Sequence, residues 1–104
     1  MPETINVLSG SCVTIPCSFD VEDKHENNLD ITCRAIWMND GRNIFDSSRP
    51  QNGQFTGNVI QKDCSTTLNN PVNNNEYKFR LECDNKLKYN YDNDKLTIRV
   101  TGRF

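Results

Sequence analysis

Five cysteines, at positions 12, 17, 33, 64 and 83 of a 104-residue chain, restrict its possible folds more than any other feature. Thiols at this density point to an oxidising compartment and to a fold stapled by disulfides. Zinc also gathers cysteines, but through closely spaced pairs. Cys12 and Cys17 are five apart and the other three stand alone, so there is no Cys-x2-Cys knuckle. The odd count leaves one cysteine without an internal partner.

The cysteines sit in runs that alternate with period two. Val13, Ile15, Cys17 and Phe19 alternate with Cys12, Thr14, Pro16 and Ser18. Ala35 and Trp37 share one face of the next run. Cys64, Thr66 and Leu68 share another, as do Tyr77, Phe79 and Leu81. Leu96, Ile98 and Val100 alternate with Thr97, Arg99 and Thr101. Each run predicts a half-buried strand. Polar segments separate them, from Asp20 to Asp30, Asn39 to Asn43, Ser47 to Gly53 and Asn69 to Asn75. No helical period persists. Short strands between turn signals predict an all-β antiparallel sandwich, with residues 1–104 forming a single domain.

Composition excludes several functions. Hydrophobic residues make up 35% of the chain and the formal net charge is −2, so the basic footprint of a nucleic-acid binder is absent. The apolar runs are too short to span a bilayer. No apolar leader follows Met1, which suggests a trimmed domain beginning at an added methionine. His25, the single histidine, lies in an acidic loop without a nucleophile partner, so no catalytic triad can be assembled and no enzyme is expected. Asp92-Asn93-Asp94 and Asn39-Asp40-Gly41 lack calcium-loop spacing and read as turns. No metal or cofactor is expected.

The alternation carries a more specific pattern. Cys17 precedes a strand bearing Trp37, and Tyr77 stands two residues before Phe79, where an immunoglobulin domain's tyrosine corner precedes its second core cysteine. Phe79 occupies the place of that cysteine, and Cys64 is the replacement partner for Cys17. Paired residues on antiparallel strands keep a constant sum of positions. Cys33 with Cys83 has the same sum as Trp37 with Phe79, so if Trp37 lies near Phe79, the two cysteines meet as well. Cys12, five residues from Cys17, points to the opposite face of its strand, away from the core.

Ser11-Cys12-Val13-Thr14-Ile15-Pro16-Cys17-Ser18-Phe19 resembles the strand-B segment of the Siglecs, the sialic-acid-binding immunoglobulin-like lectins. Asp63-Cys64-Ser65-Thr66-Thr67-Leu68 is similar to their strand E, Tyr77-Lys78-Phe79-Arg80-Leu81-Glu82 to their strand F, and Lys88-Tyr89-Asn90-Tyr91 through Thr101 to their strand G. The resemblance implies a V-set immunoglobulin-like antiparallel β-sandwich, the extracellular domain of a single-pass plasma-membrane receptor. Its partners would be sialylated glycans on glycoproteins or glycolipids. Arg80 would grip the sialic acid carboxylate, Lys88 and Asn90 would offer main-chain hydrogen bonds, and Tyr89 would pack on the glycerol side chain. The Cys17–Cys64 pairing is implied too, as is a bridge from Cys12 to a following immunoglobulin domain. Two features depart from the family: Asn73 stands where an aspartate is usual, and Glu3 to Val7 holds no aromatic residue.

Arg80 is also open to a plain reading, since strand arginines are commonly only solvated. With Tyr77 and Phe79 facing the core, alternation sends Lys78 and Arg80 outward, so packing does not need the guanidinium. A planar fork there suits a carboxylate. Tyr89 and Tyr91 could both be ordinary strand aromatics, and strand register decides which of them meets a ligand. The alternative is a V-set module that binds a protein ligand, with Arg80 merely exposed.

Overall fold

The computed structural model describes residues 4–8, 10–39, 41–49, 51–69 and 75–101, with the side chains of Asn75, Asn93, Asp94 and Thr101 left aside. Glu3, Asp40 and Asn73, each singled out in the sequence, lie outside the described residues. Among the described residues eight strands run in chain order: β1 (Thr4–Leu8), β2 (Cys12–Ile15), β3 (Arg34–Asn39), β4 (Arg42–Asp46), β5 (Gly53–Phe55), β6 (Thr66–Asn69), β7 (Asn75–Glu82) and β8 (Lys88–Thr101). They form a five-stranded sheet in the order β1-β8-β7-β3-β4 and a three-stranded sheet in the order β2-β6-β5. All described pairings are antiparallel except β1 with β8, which is parallel.

The period-two residues line the space between the sheets. Val13 and Ile15 are buried while Cys12 and Thr14 are exposed. Trp37, Tyr77, Phe79, Leu81, Leu96 and Ile98 join them from the larger sheet, with Cys64 and Leu68 from the smaller. Burying each large apolar side chain stabilises the fold by roughly 1.5–3 kcal/mol. At the centre, the Trp37 indole N–H donates to Thr66 Oγ1 at 2.8 Å, and that hydroxyl donates to the Cys64 carbonyl at 2.9 Å. The pair satisfies two polar groups that the core would otherwise strand.

Two disulfides are present. Cys17–Cys64 joins the segment two residues past β2 to the segment two residues before β6, strands paired within one sheet, with Cα atoms 4.9 Å apart. Phe79 fills the space between the sheets, its ring 5.6 Å from Trp37 and 5.2 Å from Phe19. Cys33–Cys83 joins the residue before β3 to the residue after β7, with Cα atoms 3.9 Å apart. Trp37 is the register partner of Phe79, and the same register brings Cys33 to Cys83. Cys12 is a free, exposed thiol that donates to Asn69 Oδ1.

Local structure departs from the sequence reading in two places. The polar segment after Phe19 contains a 3-10 turn over Asp23–Asn28, which carries no buried residue. Asp92-Asn93-Asp94, read as a turn, lies inside β8. Lys78 pairs with Lys95 and Arg80 with Asn90, so Tyr91 to Asp94 together oppose only Phe79. This bulge absorbs the turn-prone residues without ending the strand.

Candidate functional site

Alternation along β7 buries Tyr77, Phe79 and Leu81 and turns Lys78, Arg80 and Glu82 to the outer face. Register places Asp46, Ile36, Arg80 and Asn90 on one rung across β4, β3, β7 and β8, with Arg34, Glu82 and Lys88 on the next. Side chains two apart on a strand share a face. Arg80 is thus beside Glu82, and its Nε donates to Glu82 Oε1 at 3.1 Å. Its Nη1 donates to Asn90 Oδ1 at 2.7 Å. Nη2 has no hydrogen-bond partner among the described residues.

The other Glu82 oxygen, Oε2, accepts from Arg34 Nη2. Arg34 Nε is buried and lies 3.5 Å from Asp46 Oδ2, an ion pair without a hydrogen bond. Four charges of alternating sign therefore run across three strands: Asp46, Arg34, Glu82 and Arg80. Beneath them Ile36, although on the outer face, is fully buried. Arg80 is its register partner and Arg34 stands two residues before it on the same face, so both stems are placed to cover it, and the Arg80 side chain keeps only 24% of its exposure.

Beside Arg80 the main chain of β8 has no second strand partner among the described residues, because β1 meets β8 there only from Thr97 onward. The Cys83 N–H donates to the Leu87 carbonyl at 3.0 Å. Leu81 and Tyr89 are partners in the same register two residues on, which makes theirs a hydrogen-bonded pair as well. Lys88 and Asn90 fall in the alternating positions, so their N–H and C=O groups aim away from β7, toward the open side.

The tyrosines lie on the other face of β8. Tyr89 registers with buried Leu81, yet it is 54% exposed because the sandwich ends there. Tyr91 packs its ring 5.5 Å from Phe79 and 5.9 Å from Phe19, and its hydroxyl donates to the Asp20 carbonyl at 2.6 Å. Tyr89 stands edge-on against Tyr91 at 4.7 Å. The bulge lies beyond Asn90 and leaves both tyrosines on the same side. Val21, His25, Leu87 and the two tyrosines help to line a cavity of about 420 Å³ between the Asp20–His25 segment and the turn before β8. On the Arg80 face a smaller cleft of about 260 Å³ lies among Met38, Gly41, Lys78, Asn90 and Asp92.

The turn before β8 is pinned. Asn85 Nδ2 donates to the Asn28 carbonyl at 2.8 Å and to Asp30 Oδ2 at 3.1 Å. Thr32 donates to Asp30 through its hydroxyl and its amide, and these bonds hold the Asp30 carboxyl below the usual aspartate range. Cys33–Cys83 closes the same corner. Among the described residues no group of three or more His, Cys, Asp or Glu could hold a metal.

The structure thus brings Arg80 together with Asn90 and with the open main chain of Lys88 and Asn90. It sets Tyr89 around the strand edge, and it commits Tyr91 to packing. The sequence reading missed Arg34, Asp46 and the side-chain roles of Glu82 and Asn90. A signal was available for two of these residues: Glu82 is two residues from Arg80, and the register that pairs Cys33 with Cys83 also pairs Arg34 with Glu82.

A two-sheet sandwich with this order and a disulfide-braced core defines an immunoglobulin-like domain, and solved structures agree. The chain is similar to human T-cell immunoglobulin and mucin domain protein 1 (TM-score 0.62, 13% identity, covering 98% of this chain and 100% of that one). It is also similar to NK cell receptor Nkp44 (TM-score 0.64, 11% identity, covering 97% and 99%). In sequence it is 28% identical to sialic acid-binding Ig-like lectin 13 of Pan troglodytes over 98% of this chain and 30% of that protein. It is 26% identical to human sialic acid-binding Ig-like lectin 5 over 96% of this chain and 21% of that one. The chain therefore spans less than a third of either relative. No family model matches it.

Proposed function

We propose that this domain is a variable-type immunoglobulin module that binds terminal sialic acid on glycans, at the outer tip of a single-pass cell-surface receptor. The variable-type assignment rests on β4 extending the larger sheet beyond β3. The observation that carries the reading is the outward Arg80 guanidinium, whose Nη1 meets the Asn90 side chain on the neighbouring strand, where Lys88 and Asn90 have no second strand partner among the described residues. A carboxylate meeting that fork replaces the Asn90 amide and gains two parallel charge-assisted bonds. Lys88 and Asn90 then offer donors and acceptors to neighbouring ligand hydroxyls. Tyr89, reaching round the edge, covers an apolar part of the sugar, and Tyr91 backs it. The two relatives named as sialic acid-binding lectins support this choice of ligand.

The test is titration of 3′-sialyllactose into wild type, Arg80→Ala and Arg80→Lys, followed by NMR. Loss of the bidentate contact costs about 1.5–3 kcal/mol, enough to abolish weak single-site binding. Lysine does not rescue it, because a point charge cannot form the planar fork. Equal binding by wild type and Arg80→Ala sinks the proposal.

One observation favours a protein ligand instead: Glu82 already neutralises Arg80. In that case sialosides neither shift the spectrum nor compete with the protein partner. In either case Cys12 bridges to a following immunoglobulin domain.

A further inference from the structure

The ion-pair chain beside Arg80 has an asymmetry of charge. Asp46, Glu82, Arg34 and Arg80 sum to zero, and the incoming carboxylate adds one negative charge. Glu82 is the group in that chain bonded directly to Arg80, and on charge alone it opposes a ligand carboxylate. Arg34 counters it by occupying Oε2 while Oε1 holds Arg80 Nε. Arg34 lies on β3, across β7 from the open β8 edge, and reaches Arg80 only through Glu82.

We propose that Arg34 is a positioning residue for acidic-ligand binding: it splits the Glu82 carboxylate between two arginines and so keeps the Arg80 fork turned outward in a cluster of zero rather than negative net charge. Without Arg34, the Asp46, Glu82 and Arg80 charges sum to −1 before any ligand arrives. Glu82 Oε2 is then released to take Arg80 Nη2, the nitrogen without a partner among the described residues. Both effects weaken a carboxylate contact without touching the ligand. The groups are only a quarter to a third exposed, over the dry floor of Ile36, so solvent screens them less than a surface pair. The inference rests on the sialic acid reading and extends it to residues beyond the contact surface.

The experiment is a double-mutant cycle read by 3′-sialyllactose titration, with melting temperatures recorded for every variant. Arg34→Met keeps an aliphatic cover over Ile36, and Glu82→Gln keeps an oxygen for Arg80 Nε. Arg34→Met is expected to weaken binding by about threefold to tenfold, a typical coupling between neighbours. Glu82→Gln is expected to bind at least as well as wild type. The combined variant returns to within about twofold of Glu82→Gln, a rescue that a merely structural role for Arg34 would not give. Arg34→Lys, which keeps the charge, stays near wild type and covers the case in which Arg34→Met folds poorly. The Arg34→Met deficit shrinks at high salt.

Arg34→Met binding like wild type, a combined variant as weak as Arg34→Met, or an Arg34→Lys deficit as large as that of Arg34→Met would each overturn the proposal. If wild type binds and Arg80→Ala does not, such a result removes the Arg34 inference alone. If wild type itself is silent, the sialic acid reading fails and takes this inference with it.

Discussion

At the scale of single residues, the core turns on one polar contact. Trp37 is fully buried and donates its indole N–H to Thr66, whose hydroxyl is also spent on the Cys64 carbonyl. Thr66→Val keeps the volume and removes both bonds. It is expected to destabilise the domain by about 1–3 kcal/mol, because the indole N–H and the carbonyl are left dry and unpaired. Urea unfolding at constant m-value measures this. An unchanged midpoint would mean that water reaches the gap. Arg80 contrasts with Trp37: it is outward, bound by Glu82 and Asn90, and in register with buried Ile36. The direction of its side chain followed from parity alone, whereas its partners depended on which strands flank β7.

At the scale of elements, the Cys33–Cys83 bridge ties the start of β3 to the end of β7, three residues from Arg80. Removing it with Cys33→Ser/Cys83→Ser is expected to cost roughly 2–4 kcal/mol, chiefly by freeing the unfolded chain. A clear drop in melting temperature with unchanged 3′-sialyllactose binding is the expected result. An unchanged melting temperature would show that the Asn85–Asp30 and Asn85–Asn28 bonds hold that corner unaided. This bridge was readable in the sequence because antiparallel register is linear in position. The bulge in β8 was not readable in the same way. Tyr91 to Asp94 carry turn-forming residues, and only pairing with β7 before and after them turns a candidate loop into a bulged strand.

At the scale of the molecule, two sheets and two disulfides leave one cysteine over. Cys12 is exposed on the outer face of β2. The isolated domain is expected to carry one titratable thiol per chain under denaturing, non-reducing conditions, or to run as a Cys12-linked dimer. A monomeric mass with no free thiol would contradict this assignment. A shallow site of this polarity gains strength from repetition more than from depth, so clustered copies should bind a multivalent surface far better than single domains in solution.

The sequence alone determined the sandwich, the inward faces of its strands, the meeting of Cys33 with Cys83 once Trp37 is set against Phe79, and the outward direction of Arg80. All of these follow from period-two parity and linear register, which are local properties of an extended chain. Tertiary structure decided the surroundings of the site. It placed Tyr89 and Arg80 on opposite faces of the larger sheet, left the Lys88–Asn90 edge open, and ran an alternating ion-pair chain from Asp46 to Arg80 across three strands. Those features depend on strand order, on where β1 begins to pair, and on how a sheet ends. Residues far apart in the chain set them together, and no window of sequence contains them.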